Sequence, residues 1–419
     1  MDEKERSGWI VVAGGVLIML ILGVTYTWSV FKGPLVERFG WSQSEAQLAF
    51  SVMLASFAAT MIPAGMLNDR KGPRIVALAG GILLGLGFIA TSYFATTPLL
   101  LYATYGVMVG AGVGLAYGMP LAAGVKWFPN KRGLVSGIIM FGFGFSSLIV
   151  ALVANWLIGM LGIMQTFLYL GVAFIFIVSI GAMLLRNPPA EKISKAKAKA
   201  KAAVKAIDFG AMQVIRTRSF WMLWLMFMLA GAAGLMVIGD LANFAKLSFT
   251  TQHGMTAESA ASLGALLVGV TAIFNGLGRI LAGWASDKMG RTKVMLVMFG
   301  AQALFVGSAV FLSALSPWAL FASMACIGIC FGANFSLFPA TSADYFGTKN
   351  AGVNYGMLFT AYGVGGILGP QAMAFMLDSA KAAKGSLAVG DYLAPFMLLA
   401  VLVGVAAVIS LFTRSPRPK

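Results

Sequence analysis

Arg279 stands where a charge is costly. In the stretch NGLGRILAGWASDKMGRTK, Asn275 to Lys293, it lies in an apolar run that reaches back to Ser259, whereas Asp287, Lys288, Arg291 and Lys293 crowd the segment that follows. Eight residues separate Arg279 from Asp287, so at about 1.5 Å per helical residue it sits ~12 Å inside the charged boundary. If the run crosses a bilayer, a guanidinium at that depth costs at least ~2.5–3.5 kcal/mol, and such a group is read as functional. No Asp or Glu shares that depth: Asp240 and Asp378 fall toward the opposite ends of their runs, and Asp69, Asp287 and Asp344 lie in or beside charged loops. The chain therefore offers Arg279 no permanent anion, and its planar fork suits a carboxylate brought by a substrate.

Asn275 precedes Arg279 by one helical turn and faces the same way, able to orient the guanidinium or to bond the bound carboxylate. Counting inward from the neighbouring charged loops places Tyr117, Phe143, Phe335 and Tyr362 in one layer ~13–15 Å deep, with Tyr26 nearer the opposite side. Tyr26, Tyr117 and Tyr362 bring hydroxyls to that layer. Phe143, Phe331, Phe335 and Phe359 bring apolar walls. Aromatic residues in spans more often pack than bind, so the expected site rests mainly on Arg279.

The elements that must hold this layer follow from composition. The 419 residues are 59% hydrophobic and only 11% charged, with a mean hydropathy of +0.87, against about a quarter charged in an average soluble protein. Twelve runs are long enough to span a bilayer as helices: 9–30, 46–67, 75–96, 99–124, 134–158, 164–185, 219–245, 259–283, 294–315, 317–342, 353–377 and 392–412. A porin-type barrel is excluded because strand-length alternation is absent. The first run lacks a cleavage pattern and exceeds a signal peptide, so it reads as a retained span.

Lysine and arginine set the orientation. With Met1 inside, Lys32, Arg38, Lys246, Lys381 and Lys384 face outward, Arg279 lies within a span, and the remaining 24 of 30 basic residues lie inside, which puts both termini in the cytoplasm. The net charge of +16 is thus a topology signal and needs no nucleic acid partner. The basic segment EKISKAKAKAKAAVKAIDFG lacks the Trp, Phe and Leu face of an interfacial anchor and reads as a solvated tether. It divides the chain into an N-terminal six-helix bundle (1–186), a cytoplasmic linker (187–218) and a C-terminal six-helix bundle (219–419).

The halves repeat. GMLNDRKGPR and GWASDKMGRTK align Gly65, Asp69 and Gly72 with Gly283, Asp287 and Gly290 at a constant offset of 218 residues, and WFPNKRG aligns with YFGTKNAG at the same offset through Phe128 and Phe346. A parallel repeat of this kind relates two bundles by an axis along the membrane normal. An Asp beside a helix N-terminus and near Arg or Lys suits a conformational lock, here Asp69, Arg70 and Arg74 in one half and Asp287 and Arg291 in the other.

These duplicated loops on twelve spans resemble the major facilitator superfamily over nearly the whole chain. More narrowly, GVTYTWSVFKGP, VGLAYGMPLAAGVKWFPNKRG, NGLGRILAGWASDKMGR, SLFPATSADYFGT and NYGMLFTAYG are similar to the bacterial oxalate/formate antiporter family, related to monocarboxylate transporters. The resemblance implies an all-α polytopic membrane protein that works by alternating access. It also implies that Arg279 binds a substrate carboxylate inside an aromatic cage including Tyr26, Tyr117, Phe331, Phe335 and Phe359.

Two departures carry information. The oxalate exchanger has a lysine where this chain has Tyr362, so one cation remains for one carboxylate. Animal monocarboxylate carriers have an aspartate where this chain has Asn275. The expectation is a secondary transporter of a small monocarboxylate, such as lactate, pyruvate, formate or acetate, coupled to protons, with carboxylate exchange as the alternative and a functional monomer in the bacterial plasma membrane. A drug-efflux carrier of the same fold would favour an acidic residue in the binding layer.

No enzymatic activity, cofactor or metal is expected, since no nucleophile–base pair or Walker loop is present. Cys326 and Cys330 are four residues apart without His or acidic neighbours in sequence, which favours packing over a metal site. His253, the one histidine, is expected to be solvated in an outer loop.

Overall fold

A computed structural model describes residues 3–189 and 208–416. The Lys-Ala tether expected within 187–218 lies largely outside the described residues, at 190–207.

The first half contains α1 (Glu3–Leu22), α2 (Trp28–Phe39), α3 (Gln43–Lys71), α4 (Pro73–Phe94), α5 (Pro98–Leu101), α6 (Gly110–Trp127), α7 (Arg132–Leu161) and α8 (Ile163–Leu184). After the short α9 (Ala211–Val214), the second half contains α10 (Arg218–Thr251), α11 (Ala257–Met289), α12 (Arg291–Leu315), α13 (Pro317–Phe346), α14 (Ala351–Lys384) and α15 (Leu393–Phe412).

The first span is longer than the apolar run 9–30 suggests. A tight 3₁₀ segment, Gly23–Thr27, joins α1 to α2, so Lys32 and Arg38 stand on a helix rather than in a loop. The fourth span likewise joins α5 to α6 through a π-helical stretch, Tyr102–Val109. Lys246, Lys381 and Lys384 also ride on helical extensions past the apolar runs.

Eleven helical segments among the described residues are long and apolar enough to cross a membrane. The remaining expected span, 353–377, lies within α14, 34 residues long. Its sequence is rich in Gly and includes Asn354, Tyr355, Thr360, Tyr362 and Gln371. A helix sealed between two halves needs less apolar surface than one facing lipid, and Asn354, Tyr355 and Tyr362 are all buried.

Local chemistry sets the helix ends. Ser42 and Glu45 form a reciprocal capping box at the start of α3, satisfying amides that have no partner within the helix. Thr217, Thr256 and Ser316 cap α10, α11 and α13. Between α3 and α4 the chain turns at Gly72 with φ +84°, and between α11 and α12 at Gly290 with φ +96°, a region that favours glycine. These two glycines are repeat partners, so the tight turn is itself duplicated.

Within the first half α4 packs on α6 and α8, and α1 on α6, α7 and α8; within the second, α11 and α12 pack on α13, and α10 and α12 on α15. Between the halves α7 lies against α11 and α13, and α3 against α14. Both seams close where glycine meets glycine. A Cβ on Gly283 would fall 2.1 Å from the Gly133 carbonyl oxygen, and one on Gly65 would fall 2.4 Å from the Gly352 carbonyl carbon. Such close backbone approach is how membrane helices associate without a hydrophobic driving force.

Candidate functional site

Arg279 lies on α11, facing α7. Two glycines on α7 make room for it: a Cβ on Gly137 would fall 2.2 Å from the Arg279 carbonyl oxygen, and one on Gly144 would fall 3.3 Å from its Nε. The side chain is fully buried.

Its polar partners are neutral. Nε and Nη2 donate to Oδ1 of Asn275 at 3.1 and 2.9 Å, and Nη1 donates to the Met140 carbonyl oxygen at 2.7 Å. Asn275 therefore takes the orienting role. A guanidinium carries five N–H donors; three are engaged by Asn275 and Met140, and the Tyr26 hydroxyl stands beside the remaining two as a further neutral neighbour. Those two are the number a carboxylate needs for paired bonds.

Aromatic rings enclose the charge. The guanidinium carbon stands 4.4 Å from the Phe335 ring centroid and 5.7 Å from that of Phe143, within the range of cation–π attraction. Phe143 packs edge-on against Tyr26 and Tyr117, each with centroids 5.2 Å apart. Tyr117 packs at 5.0 Å against Phe359, which packs at 5.1 Å against Tyr362. Phe335 meets Tyr362 at 5.2 Å and Phe331 at 5.4 Å. Phe331 in turn fills the space left by Gly234, where a Cβ would overlap its ring. All nine residues expected at the layer thus fall in one connected cluster drawn from both halves.

The Tyr26 and Tyr362 hydroxyls hydrogen-bond across the halves at 3.0 Å. This bridge joins the 3₁₀ segment of the first span to α14.

The cluster includes residues that sequence reasoning missed. Phe57 on α3 packs at 5.1 Å against both Tyr117 and Phe359. Phe227 on α10 lies 5.8 Å from Tyr362 and 5.9 Å from Phe359. Tyr355 on α14 lies 5.8 Å from Phe359 and, with Tyr26, Tyr117 and Tyr362, within the electrostatic field of Arg279. Tyr355 is one turn before Phe359 and two turns before Tyr362 on the same helix face, a spacing that sequence alone could have flagged. Phe57 and Phe227 carry no such signal in their apolar surroundings.

The duplicated loops meet the opposite half on the face where α1 begins and α15 ends. Asp287 accepts from the amides of Gly133 and Leu134 at 2.9 and 2.8 Å, sitting on the N-terminus of α7. Arg291 pairs with Asp287 at 2.7 Å and with Asp344 at 2.7 Å, and Arg132 reaches Asp344 at 2.7 Å. In the other seam Asp69 accepts from the Val353 amide at 3.3 Å, at the N-terminus of α14, and from Asn68 at 2.9 Å.

The two locks are unequal. The repeat partner of Asp344 is Lys126 and that of Arg291 is Pro73, so in place of the Arg291–Asp344–Arg132 chain Asp69 has the neighbouring charge of Lys126. Arg74 points back into its own half, donating to the carbonyls of Met183 and Leu185 at 2.6 and 3.3 Å. It caps the end of α8, a position where basic groups complement the helix dipole. Arg70 is exposed.

His253 is not free in solvent as expected. It is half-buried, and its Nε2 donates to the Ser313 carbonyl oxygen at 2.7 Å, because α10 runs on to Thr251 and delivers the ring against the end of α12. The thiols of Cys326 and Cys330 on α13 are free.

Comparison with known proteins gives a consistent picture. Residues 13–370 match the family described as Major Facilitator Superfamily. The chain is 31% identical over 367 residues to the Escherichia coli protein named "Uncharacterized MFS-type transporter YhjX", covering 87% of each. It is 30% identical to the oxalate:formate antiporter of Oxalobacter formigenes, covering 86% of this chain and 83% of that protein. To human monocarboxylate transporter 11 it is 26% identical, covering 94% and 80%. Among solved structures the Escherichia coli fucose:proton symporter FucP superposes with a TM-score of 0.72 at 16% identity, covering 98% of this chain and all of that one. That last likeness concerns the fold alone.

Proposed function

The chain belongs to the major facilitator superfamily, and from that premise we propose that it carries a small monocarboxylate anion across the membrane by alternating access, with Arg279 binding the carboxylate. One observation carries this reading. Arg279 is fully buried and, among the described residues, has only neutral oxygen neighbours, those of Asn275, Met140 and Tyr26. A desolvated cation without a counter-ion gains most from a ligand that supplies one.

A monocarboxylate fits better than oxalate because the cluster around the substrate position holds one cation. Among the described residues the lysines and the other arginines lie in the turns or toward the helix ends, and the neutral Tyr362 is held to Tyr26 by its hydroxyl. The similarity to the oxalate:formate antiporter and to monocarboxylate transporter 11 supports a carboxylate in either case. Proton symport is the proposed coupling, in a plasma membrane with both termini cytoplasmic, and a monomer suffices because all the site residues come from one chain. Under that orientation the Asp287 and Asp69 locks shut the cytoplasmic side.

The test is uptake into proteoliposomes. An inward proton gradient should drive accumulation of labelled lactate or pyruvate into vesicles with no internal substrate, and oxalate should compete poorly. Accumulation that appears only in vesicles preloaded with a second carboxylate would replace symport with obligate exchange. Strong oxalate transport would sink the monocarboxylate reading.

A further inference from the structure

The sequence repeat supplies the second lock with a cation but not with its partner. At the first seam Arg132, at the start of α7, reaches Asp344, near the end of α13, at 2.7 Å, so a cation of the first half meets an anion of the second. Carried through the offset of 218 residues, Asp344 becomes Lys126 and Arg132 becomes Asn350. At the second seam the first half therefore keeps a cation, in the last turn of α6, while the second half has a neutral amide at the matching position. Lys126 is half-buried. The carboxylate nearest to it in the repeat, Asp69, belongs to its own half, so their attraction does not by itself draw the halves together.

The linker brings an anion to that place. Asp208 accepts from the backbone amides of Thr348 and Lys349, each at 3.1 Å, in the turn between α13 and α14. Phe209 donates its amide to the Phe346 carbonyl oxygen at 2.9 Å, and its ring stands edge-on to that of Phe346 with centroids 6.1 Å apart. Its own carbonyl oxygen accepts from the side chains of Asn350 at 2.9 Å and Asn354 at 3.3 Å. Asn350 is the repeat partner of Arg132: where the first seam uses that position to make an ion pair, the second uses it to dock a segment that carries a carboxylate. Asp69 bonds the Val353 amide, four residues past the Lys349 amide that holds Asp208, and Lys126 lies in the electrostatic field of both carboxylates.

We infer that Asp208 is the missing member of the second lock, a carboxylate that the linker fixes to the second half so that it attracts Lys126 of the first half across the seam. The linker is then part of the closure as well as a tether. The arrangement also suits opening. When the seam parts, Asp208 leaves with the second half and keeps its two amides, while Lys126 keeps Asp69 in its own half, so neither state strands a half-buried charge without a partner, which would be costly.

The test is hydrogen exchange on the full chain without substrate, so its outcome is independent of the carboxylate reading. Asp208→Asn removes the charge but retains an oxygen for the Thr348 and Lys349 amides; Lys126→Gln removes the cation. Thermal unfolding confirms that each variant is folded. Asp208→Asn should speed exchange by about fivefold on both sides of the seam, at the end of α3 and at the start of α14. In the Lys126→Gln background the same substitution should add nothing, because the two changes remove one interaction. Effects that multiply in the double variant, or faster exchange at the start of α14 with the end of α3 unchanged, overturn the inference and make Asp208 a helix cap only. Should Lys126→Gln not fold, Asp208→Glu replaces it: protection at the end of α3 that is lost with Asn and kept with Glu supports the charge pair, and equal protection in the two variants overturns it.

Discussion

Arg279 gives two of its nitrogens to a single oxygen, Oδ1 of Asn275, one helical turn away at 3.1 and 2.9 Å. A neutral amide fixes the plane of the guanidinium without cancelling its charge. An aspartate there would do both, and the difference decides whether the site needs a proton before it accepts an anion.

That relationship predicts the behaviour of Asn275→Asp. At neutral pH the new carboxylate pairs with Arg279 and competes with substrate, so exchange of labelled lactate should fall by about tenfold or more. Protonating the aspartate restores a neutral partner, so exchange should recover as pH falls. Measured in exchange mode with equal pH on both sides, the variant should show an acid-dependent rise that the parent lacks. A flat profile at parent rates would mean that Asn275 does not control the charge of the site.

Arg279→Lys tests the fork itself. An ammonium keeps the charge but loses the planar geometry that meets Asn275, the Met140 carbonyl and a carboxylate together. A charged hydrogen bond is worth about 1.5–3 kcal/mol, so kcat/KM should drop by about 10–100-fold with normal expression and folding. Parent-like transport by Arg279→Lys or Arg279→Gln would remove Arg279 from the site.

Much of this arrangement is legible in the sequence. Arg279 stood out because hydrocarbon makes a lone charge costly, and the layer around it followed from counting residues inward from charged loops at a known helical rise. The paired turns at Gly72 and Gly290 were legible as a repeat. What stayed hidden has physical causes. Phe57 and Phe227 are apolar residues among apolar residues, and only packing tells a cage wall from a lipid-facing side chain. The direction of Arg74 depends on where α8 ends, and the 3₁₀ segment Gly23–Thr27, though its GVTYT is less apolar than the residues before it, is too short to interrupt a run of span length.

The unequal locks give a third prediction. Asp287 holds two amides of α7 and an arginine that continues to Asp344, whereas Asp69 holds the Val353 amide at 3.3 Å and its neighbour Asn68. Charges at helix N-termini contribute up to about 2 kcal/mol in partly buried settings. Asp287→Asn should therefore speed hydrogen exchange at the start of α7 by about tenfold or more, and Asp69→Asn should speed it less at the start of α14. Equal effects would show that the Arg291–Asp344–Arg132 chain adds nothing to the hold.

Tyr362→Lys tests whether the count of cations sets the charge of the substrate. Tyr362 lies in the field of Arg279 and reaches the Tyr26 hydroxyl at 3.0 Å, so a lysine there places a second cation in the same desolvated compartment. Two like charges in a medium of low dielectric repel strongly, and a ligand with two negative charges relieves that repulsion where a monocarboxylate relieves half of it. Specificity should therefore shift through a penalty on the old substrate as well as a gain for the new one. Competition of labelled lactate uptake by unlabelled oxalate, compared with the parent, should favour oxalate by about tenfold or more, equivalent to ~1.4 kcal/mol. Tyr362→Phe serves as the control: it breaks the bridge to Tyr26 without adding charge, so it should alter rates while leaving the oxalate-to-lactate ratio near that of the parent. An equal shift in both variants would assign the selectivity to the lost bridge rather than to the added cation.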